Sequence, residues 1–207
     1  MSTRENKEFE IQGVNHLALT CRDMEKTVDF YTNVLGMPLI KTLDLPFSSG
    51  QHFFFDMGNG DSLAFFWFPD SPERAVGVAS PEALPGQGPI ATAHGAMNHI
   101  AFNVPRDKIE AYREKLAARG VEVTEIMNHD NSPTQVSDEV TADVYVRSLY
   151  FFDPDGILLE FACWERELGP EDTLVKPATA ADAPRYLEAR DREIRAFLQE
   201  TKSAQSS

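Results

Sequence analysis

The sequence predicts an α+β protein of two consecutive βαβββ modules followed by a helical C-terminal tail. Three observations carry that expectation. A strand, a helix and three further strands can be read twice in the same order. The dipeptide Asn-His opens the first strand of each copy, at Asn15-His16 and Asn98-His99. Beyond about residue 165 the pattern leaves the repeat and turns to helical spacing. The two histidines stand 83 positions apart (99 less 16), and internal duplication is the simplest account of such self-similarity.

In "GVNHLALTC", Val14, His16, Ala18 and Thr20 share one face and Leu17 and Leu19 the other, the period of a strand. "DMEKTVDFYTNVLG" follows with Met24, Val28, Tyr31 and Leu35 along one helical stripe. Asp23 is placed as its N-cap and Gly36 just past its end. "MPLIKTLDL", "GQHFFFDMG" and "SLAFFWF" read as strands, the last two joined by the turn-forming "GNGD". The second copy starts with "MNHIAFNVP". Its helix is "RDKIEAYREKLAARG", with Ile109, Tyr112 and Leu116 on one face and Gly120 closing it. "VEVTEIM", "VYVRSLYFFDPDG" and "ILLEFACW" complete it, "DPDG" answering "GNGD". The expected organisation is a flexible N-terminus (1–11), a first module (12–68), a Pro-, Gly- and Ala-rich linker or flap (69–96), a second module (97–165) and a helical extension (166–207). In the extension Leu187, Ile194 and Leu198 form an apolar stripe expected to pack on the body or on a second copy, as in a homodimer.

At 207 residues the chain buries enough surface to need no staples. Cys21 and Cys163 make no disulfide framework, and no secretory leader is visible, which favours a reducing, cytoplasmic setting. No apolar run reaches the roughly 18 residues of a membrane span, so no membrane partner is expected. A formal charge of -14 repels a phosphate backbone, and no basic stripe alternates with aromatics. Nucleic acid is therefore excluded, and a small-molecule substrate is the expected partner.

His16 and His99 lie opposite the bulky faces of their strands, each beside a small residue, Ala18 and Ala101. In the last strand Leu158, Glu160 and Ala162 share one face, and a carboxylate in that apolar setting needs a partner. Two neutral imidazoles and one carboxylate can take one face of an octahedral metal and leave the opposite positions to substrate, water or oxygen. The bland reading, three side chains each satisfied by separate hydrogen bonds, is weakened by their repeat-matched positions.

With "VNHLALTCRDMEKTVDFYTNVLGM", "MNHIAFNV" and "YFFDPDGILLEF" inside a duplicated βαβββ pattern, residues 12 to 165 resemble the vicinal oxygen chelate superfamily. The resemblance implies a half-barrel cup formed by the paired modules around a divalent metal, with His16, His99 and Glu160 as ligands. Matching Gly60 to Gly156 puts Ala64 opposite Glu160. Relatives such as glyoxalase I and methylmalonyl-CoA epimerase carry a Glu or Gln ligand there. Three protein ligands leave about three octahedral positions, enough for a bidentate oxygen substrate and dioxygen.

The spacing of Tyr150, Asp-Pro, Gly and Glu160 is also similar to the extradiol dioxygenase signature, in which the tyrosine bonds substrate oxygen. The histidine that precedes this tyrosine in the signature is absent from "EVTADVYVRSLY". Matching "FFFD" to "YFFD" turns His52 away from the Tyr150 face and leaves it structural or exposed. The same matching lines the cup with Phe53, Phe55 and Phe66, a set that suits an aromatic substrate, although strand phenylalanines are more often core. His94 and His129 fall in loops. Arg147 can pair with an anionic substrate or serve as a surface charge.

The reading favoured by these residues is an Fe(II) dioxygenase acting on a catechol-like compound, with Mn, Zn, Ni and Co also suited to the donors. A lyase or isomerase using the metal as Lewis acid and a metal-free drug-binding protein stand as the alternatives.

Overall fold

The computed structural model describes residue 11 and residues 13–204, with side chains through residue 196. Residues 1–10 of the expected flexible N-terminus (1–11), and the Leu198 side chain beyond 196, lie outside the described residues. One compact unit carries both modules as far as Glu167, and a second begins at Leu168.

The first module runs β1 (His16–Thr20), α1 (Met24–Asp29), β2 (Leu39–Asp44), β3 (Gln51–Gly58) and β4 (Asp61–Trp67). The Asp23 carboxylate caps α1 by accepting the Lys26 N–H at 3.2 Å. The helix then widens into a π-type turn over Phe30–Val34, and Gly36, at φ +78°, ends it in the left-handed region. The strands form a sheet in the order β1-β4-β3-β2, with β1 parallel to β4. The second module repeats the plan with one added two-residue strand: β5 (Ile100–Asn103), α2 (Ile109–Ala118), β6 (Met127–His129), the added β7 (Val136–Ser137), β8 (Val146–Phe152) and β9 (Leu158–Trp164). Its sheet runs β5-β9-β8-β6-β7, again with the first strand parallel to the last. The architecture is α+β with two open mixed sheets.

Each sheet turns one face to its helix. On the first, Leu63 and Phe65 of β4 and Phe55 of β3 are fully buried with Tyr31, whose ring lies 5.5 Å from Phe55 and 4.9 Å from Phe65. On the second, Leu149, Phe151 and Leu159 are fully buried against Ile109 and Leu116 of α2. A fully buried side chain of this size contributes roughly 1.5–3 kcal/mol. These residues form one continuous core across both modules. A polar link also joins them: the Tyr31 hydroxyl donates to Asp153 Oδ2 at 3.2 Å.

The strand expected over "VEVTEIM" is largely missing. Val123 makes a single bridge to Phe151, and β6 begins only at Met127. Thr124 explains the break. Its hydroxyl accepts the Tyr150 N–H at 3.0 Å, and its carbonyl accepts from Arg113 Nε, so those groups are spent outside a ladder.

The segment 69–96 is a seated strap. Leu84, 2% exposed, packs on Tyr150 and Leu158, with Met127 and Phe152 at the edge of the cluster. Arg74 donates to Ser80 Oγ at 2.7 Å and to the Pro81 carbonyl at 3.3 Å, and lies 5.9 Å over the Phe152 ring. It crosses the bare Cα of Gly156, where a Cβ would collide with the guanidinium.

In the second unit, α3 spans Ala183–Ala204, with Leu187 and Ile194 about half exposed. Among the described residues no helix is long and apolar enough to cross a membrane.

Candidate active site

Strand register fixes what shares the uncovered face of the second sheet. Tyr150 stands opposite Glu160, and Ala101 flanks Glu160 on the other side. Ser148, Met127 and His129 follow on the same face, and His99 precedes β5 by one residue. His99 Nε2 lies 2.9 Å from Glu160 Oε2, and the Ser148 hydroxyl donates to Glu160 Oε1 at 2.5 Å. Burial works against the charge of Glu160, but the hydrogen bonds from His99 and Ser148 outweigh it and hold the carboxyl below its ordinary range.

The Tyr150 ring meets His99 edge-on at 6.0 Å, and its hydroxyl lies 3.5 Å from His129 Nε2. Burial, reinforced by the Glu160 charge, pushes the Tyr150 phenol up to about 12. It is therefore a neutral donor at ordinary pH. Leu84 closes the Phe152–Leu158 end of this face, while the His99 side chain remains 37% exposed.

The first sheet presents His16, Ala18 and Thr20 of β1 beside Ser62, Ala64 and Phe66 of β4. Phe54 and His52 of β3 face Ala64 and Phe66 respectively. His52 stacks on Phe66 at 3.6 Å, and its Nε2 is shut from solvent with no partner among the described residues. Burial and the positive potential of His16 hold His52 below the ordinary imidazole range. His16 itself is exposed on an edge strand.

The structure thus brings His99, Glu160 and Tyr150 together and leaves His16 on the other sheet. Among the described residues, no three His, Cys, Asp or Glu side chains of one chain converge to hold a metal. The two convergent donors nonetheless fit a divalent cation. They are one imidazole nitrogen and one carboxylate, aimed at the same space, with the carboxylate steadied by Ser148.

Three expectations about lining residues are corrected. Phe55 is fully buried in the helix-covered core, and Phe53, in register with Phe65, is on that same covered face. Phe66 does lie on the uncovered face, joined by Phe54 and His52, which the sequence matching had turned away. Matching "FFFD" to "YFFD" is one residue out of step with the Gly60–Gly156 match: Asp56 pairs with Ser62 as Phe152 pairs with Leu158, so Phe54 rather than Phe53 matches Tyr150. A slip of one residue moves every side chain to the other face.

Arg147 pairs with Cys163 and points to the helix side. There it bonds Glu110 of α2 at 2.5 Å and Asn128 Oδ1 at 3.1 Å, and lies 3.8 Å from Glu165. It is a structural cation. His129, expected in a loop, supplies the imidazole beside Tyr150 that the sequence lacked at the expected position. His94 is exposed.

Comparison with known proteins identifies the family. The family model described as the glyoxalase/bleomycin resistance protein/dioxygenase superfamily matches residues 13–161. MhqE of Bacillus subtilis, named as a candidate ring-cleaving dioxygenase, is 29% identical over 118 residues; the match takes in 55% of this chain but only 34% of that protein. A lactoylglutathione lyase of Escherichia coli is 30% identical over 145 residues, 70% of this chain and 87% of that one. The glyoxalase family protein of Enterococcus faecalis superposes with a TM-score of 0.51 at 22% identity, covering 73% of this chain and 97% of its own; this likeness concerns the fold alone. With its duplicated strand–helix–strand modules and a family match over most of its length, the chain belongs to the glyoxalase/bleomycin resistance protein/dioxygenase superfamily.

Proposed function

We propose that the chain is a metal-dependent enzyme, an Fe(II) dioxygenase of the extradiol type for a catechol-like substrate. His99 and Glu160 of one copy and His16 of a second copy would be the metal ligands of a homodimer. The observation that carries the reading is the 2.9 Å approach of His99 Nε2 to Glu160 Oε2, with the methyl group of Ala64 at the position matching Glu160 in the other module. A three-ligand set leaves room for two substrate oxygens and one oxygen molecule.

The second copy enters because His16, Ala18 and Thr20 are exposed on an edge strand, as are Ala101 and Asn103 on the corresponding edge of the second sheet. Bound Fe(II) would supply the redox and Lewis-acid chemistry that lets an electron-rich ring react with dioxygen. Mn, Zn, Ni and Co suit the same donors. The chain's own contribution is placement. Tyr150 donates a hydrogen bond to a substrate oxygen, and His129, 3.5 Å from the same hydroxyl, can take a proton from it or resupply one. Phe66, Phe54 and His52 offer an aromatic wall from the other module.

A second reading keeps the metal as a Lewis acid for lyase or isomerase chemistry without oxygen. Similarity to lactoylglutathione lyase over 87% of that protein favours it, and Ala64 weighs against it.

The test is oxygen uptake by protein loaded anaerobically with Fe(II), against a panel of catechols and hydroquinones. Iron-dependent uptake with ring-opened product is the expected result. Absence of uptake, with turnover of a hemithioacetal by Ni- or Zn-loaded protein, would transfer the assignment to the second reading.

A further inference from the structure

Each candidate histidine follows an asparagine, and in both copies the asparagine serves the ring. Asn15 Oδ1 lies 2.8 Å from His16 Nδ1, and Asn98 Oδ1 lies 2.8 Å from His99 Nδ1. An amide oxygen only accepts, so Nδ1 must carry the hydrogen of each pair. For Asn98 the amide orientation has a separate anchor: its Nδ2 donates to the Ile90 carbonyl at 2.7 Å, which leaves Oδ1 to face the imidazole. Ile90 belongs to the strap, so the segment between the modules also sets the ring beside the site.

With Nδ1 occupied, Nε2 is the nitrogen left for a ligand; in His99 its hydrogen is given to Glu160 Oε2 at 2.9 Å, the proton that a cation held between the two would displace. A hydrogen bond to the distal ring nitrogen fixes tautomer and rotation and raises the donor strength of the other nitrogen.

We propose that Asn15 and Asn98 are positioning residues that commit His16 and His99 to bind a divalent cation through Nε2. The proposal rests on the metal-site reading above but on neither the identity of the substrate nor the use of oxygen. It also accounts for the repeated Asn-His dipeptide, since each ring has its partner at the preceding position.

The test uses the intact chain and the metal alone. In Zn(II)-loaded wild type, long-range proton–nitrogen correlation of the imidazoles should show Nδ1–H and a zinc-bound Nε2 for both histidines. Zinc on Nδ1 of either would overturn the proposal without any substitution. Mn(II) affinity should fall about 10–100-fold in Asn98→Leu and in Asn15→Leu, the usual effect of losing such a partner. Asn98→Asp, which keeps an acceptor at that place, should bind at least as tightly as wild type. Asn98→Leu within twofold of wild type, or Asn98→Asp as weak as Asn98→Leu, would overturn it. Wild type that binds neither Mn(II) nor Zn(II) would instead overturn the metal reading, and this inference with it.

Discussion

Asp153 gives the sharpest test of how the two modules hold together. It opens the Asp-Pro-Asp-Gly turn between β8 and β9, is 6% exposed, and accepts the Tyr31 hydroxyl from the first module. Its Oδ1 also accepts the N–H groups of Asp155 and Ile157, at 2.9 and 2.8 Å. Burial dominates these bonds and pushes its carboxyl from 3.8 up to about 6. A carboxyl raised on folding holds its proton better in the native state than in the unfolded chain. The stability tied to this group is therefore fully present below pH 3.8 and is lost as pH rises through about 6. At 1.36 kcal/mol for each pKa unit, the loss is about 3 kcal/mol.

Asp153→Asn keeps an oxygen for the backbone and removes the titration. Urea unfolding of both proteins at a series of pH values from about 3.5 to 7.5 should show wild type losing about 3 kcal/mol more than Asp153→Asn across the range. Parallel pH profiles would refute the reasoning.

The remaining predictions separate structural from functional roles. Arg147→Ala leaves the nearly buried Glu165 without that cation. With Arg106 still 3.5 Å from Glu165, it should cost about 1.5–3 kcal/mol in urea unfolding while leaving Mn(II) affinity unchanged; a selective loss of substrate binding with normal stability would return Arg147 to the site. Leu84→Ala empties the contact between strap and Tyr150 and should cost about 2–5 kcal/mol by the same assay, and an unchanged midpoint would mean that the strap is not seated there. Tyr150→Phe should keep metal affinity and lower turnover by about 10²–10⁴ if Tyr150 handles a substrate proton. Full turnover in that variant would remove Tyr150 from the chemistry.

Much of this was legible in the sequence because strand alternation is a strong signal. Leu17 and Leu19 against His16, and Leu159 and Phe161 against Glu160, separate the helix-covered face from the free one without coordinates. Ala64 could likewise be matched to Glu160 by counting from the glycine of each turn. The β3 strand could not be placed so safely. Its aspartate invites matching "FFFD" to "YFFD", one residue off the Gly60–Gly156 count, and a slip of one residue exchanges the two faces.

His129 was missed as the neighbour of Tyr150 because β6 starts late, after Thr124 diverts its hydrogen bonds. Arg147 looked free because its partner Glu110 lies on α2, 37 residues earlier. Convergence of side chains from distant strands was legible for His99 and Glu160. For His16 it was not, since a repeat pattern does not say whether the two modules meet within one chain or between copies.

That last point is the centre of the account, and mixing subunits addresses it directly. His16→Ala and His99→Ala should each bind almost no divalent metal as homodimers. Co-expressed with different tags and purified as the mixed dimer, they should regain one Mn(II) per dimer, because one cup then combines an intact His16 with an intact His99 and Glu160. A mixed dimer that binds no metal, beside a wild type that binds one per chain, would contradict a site built between two copies.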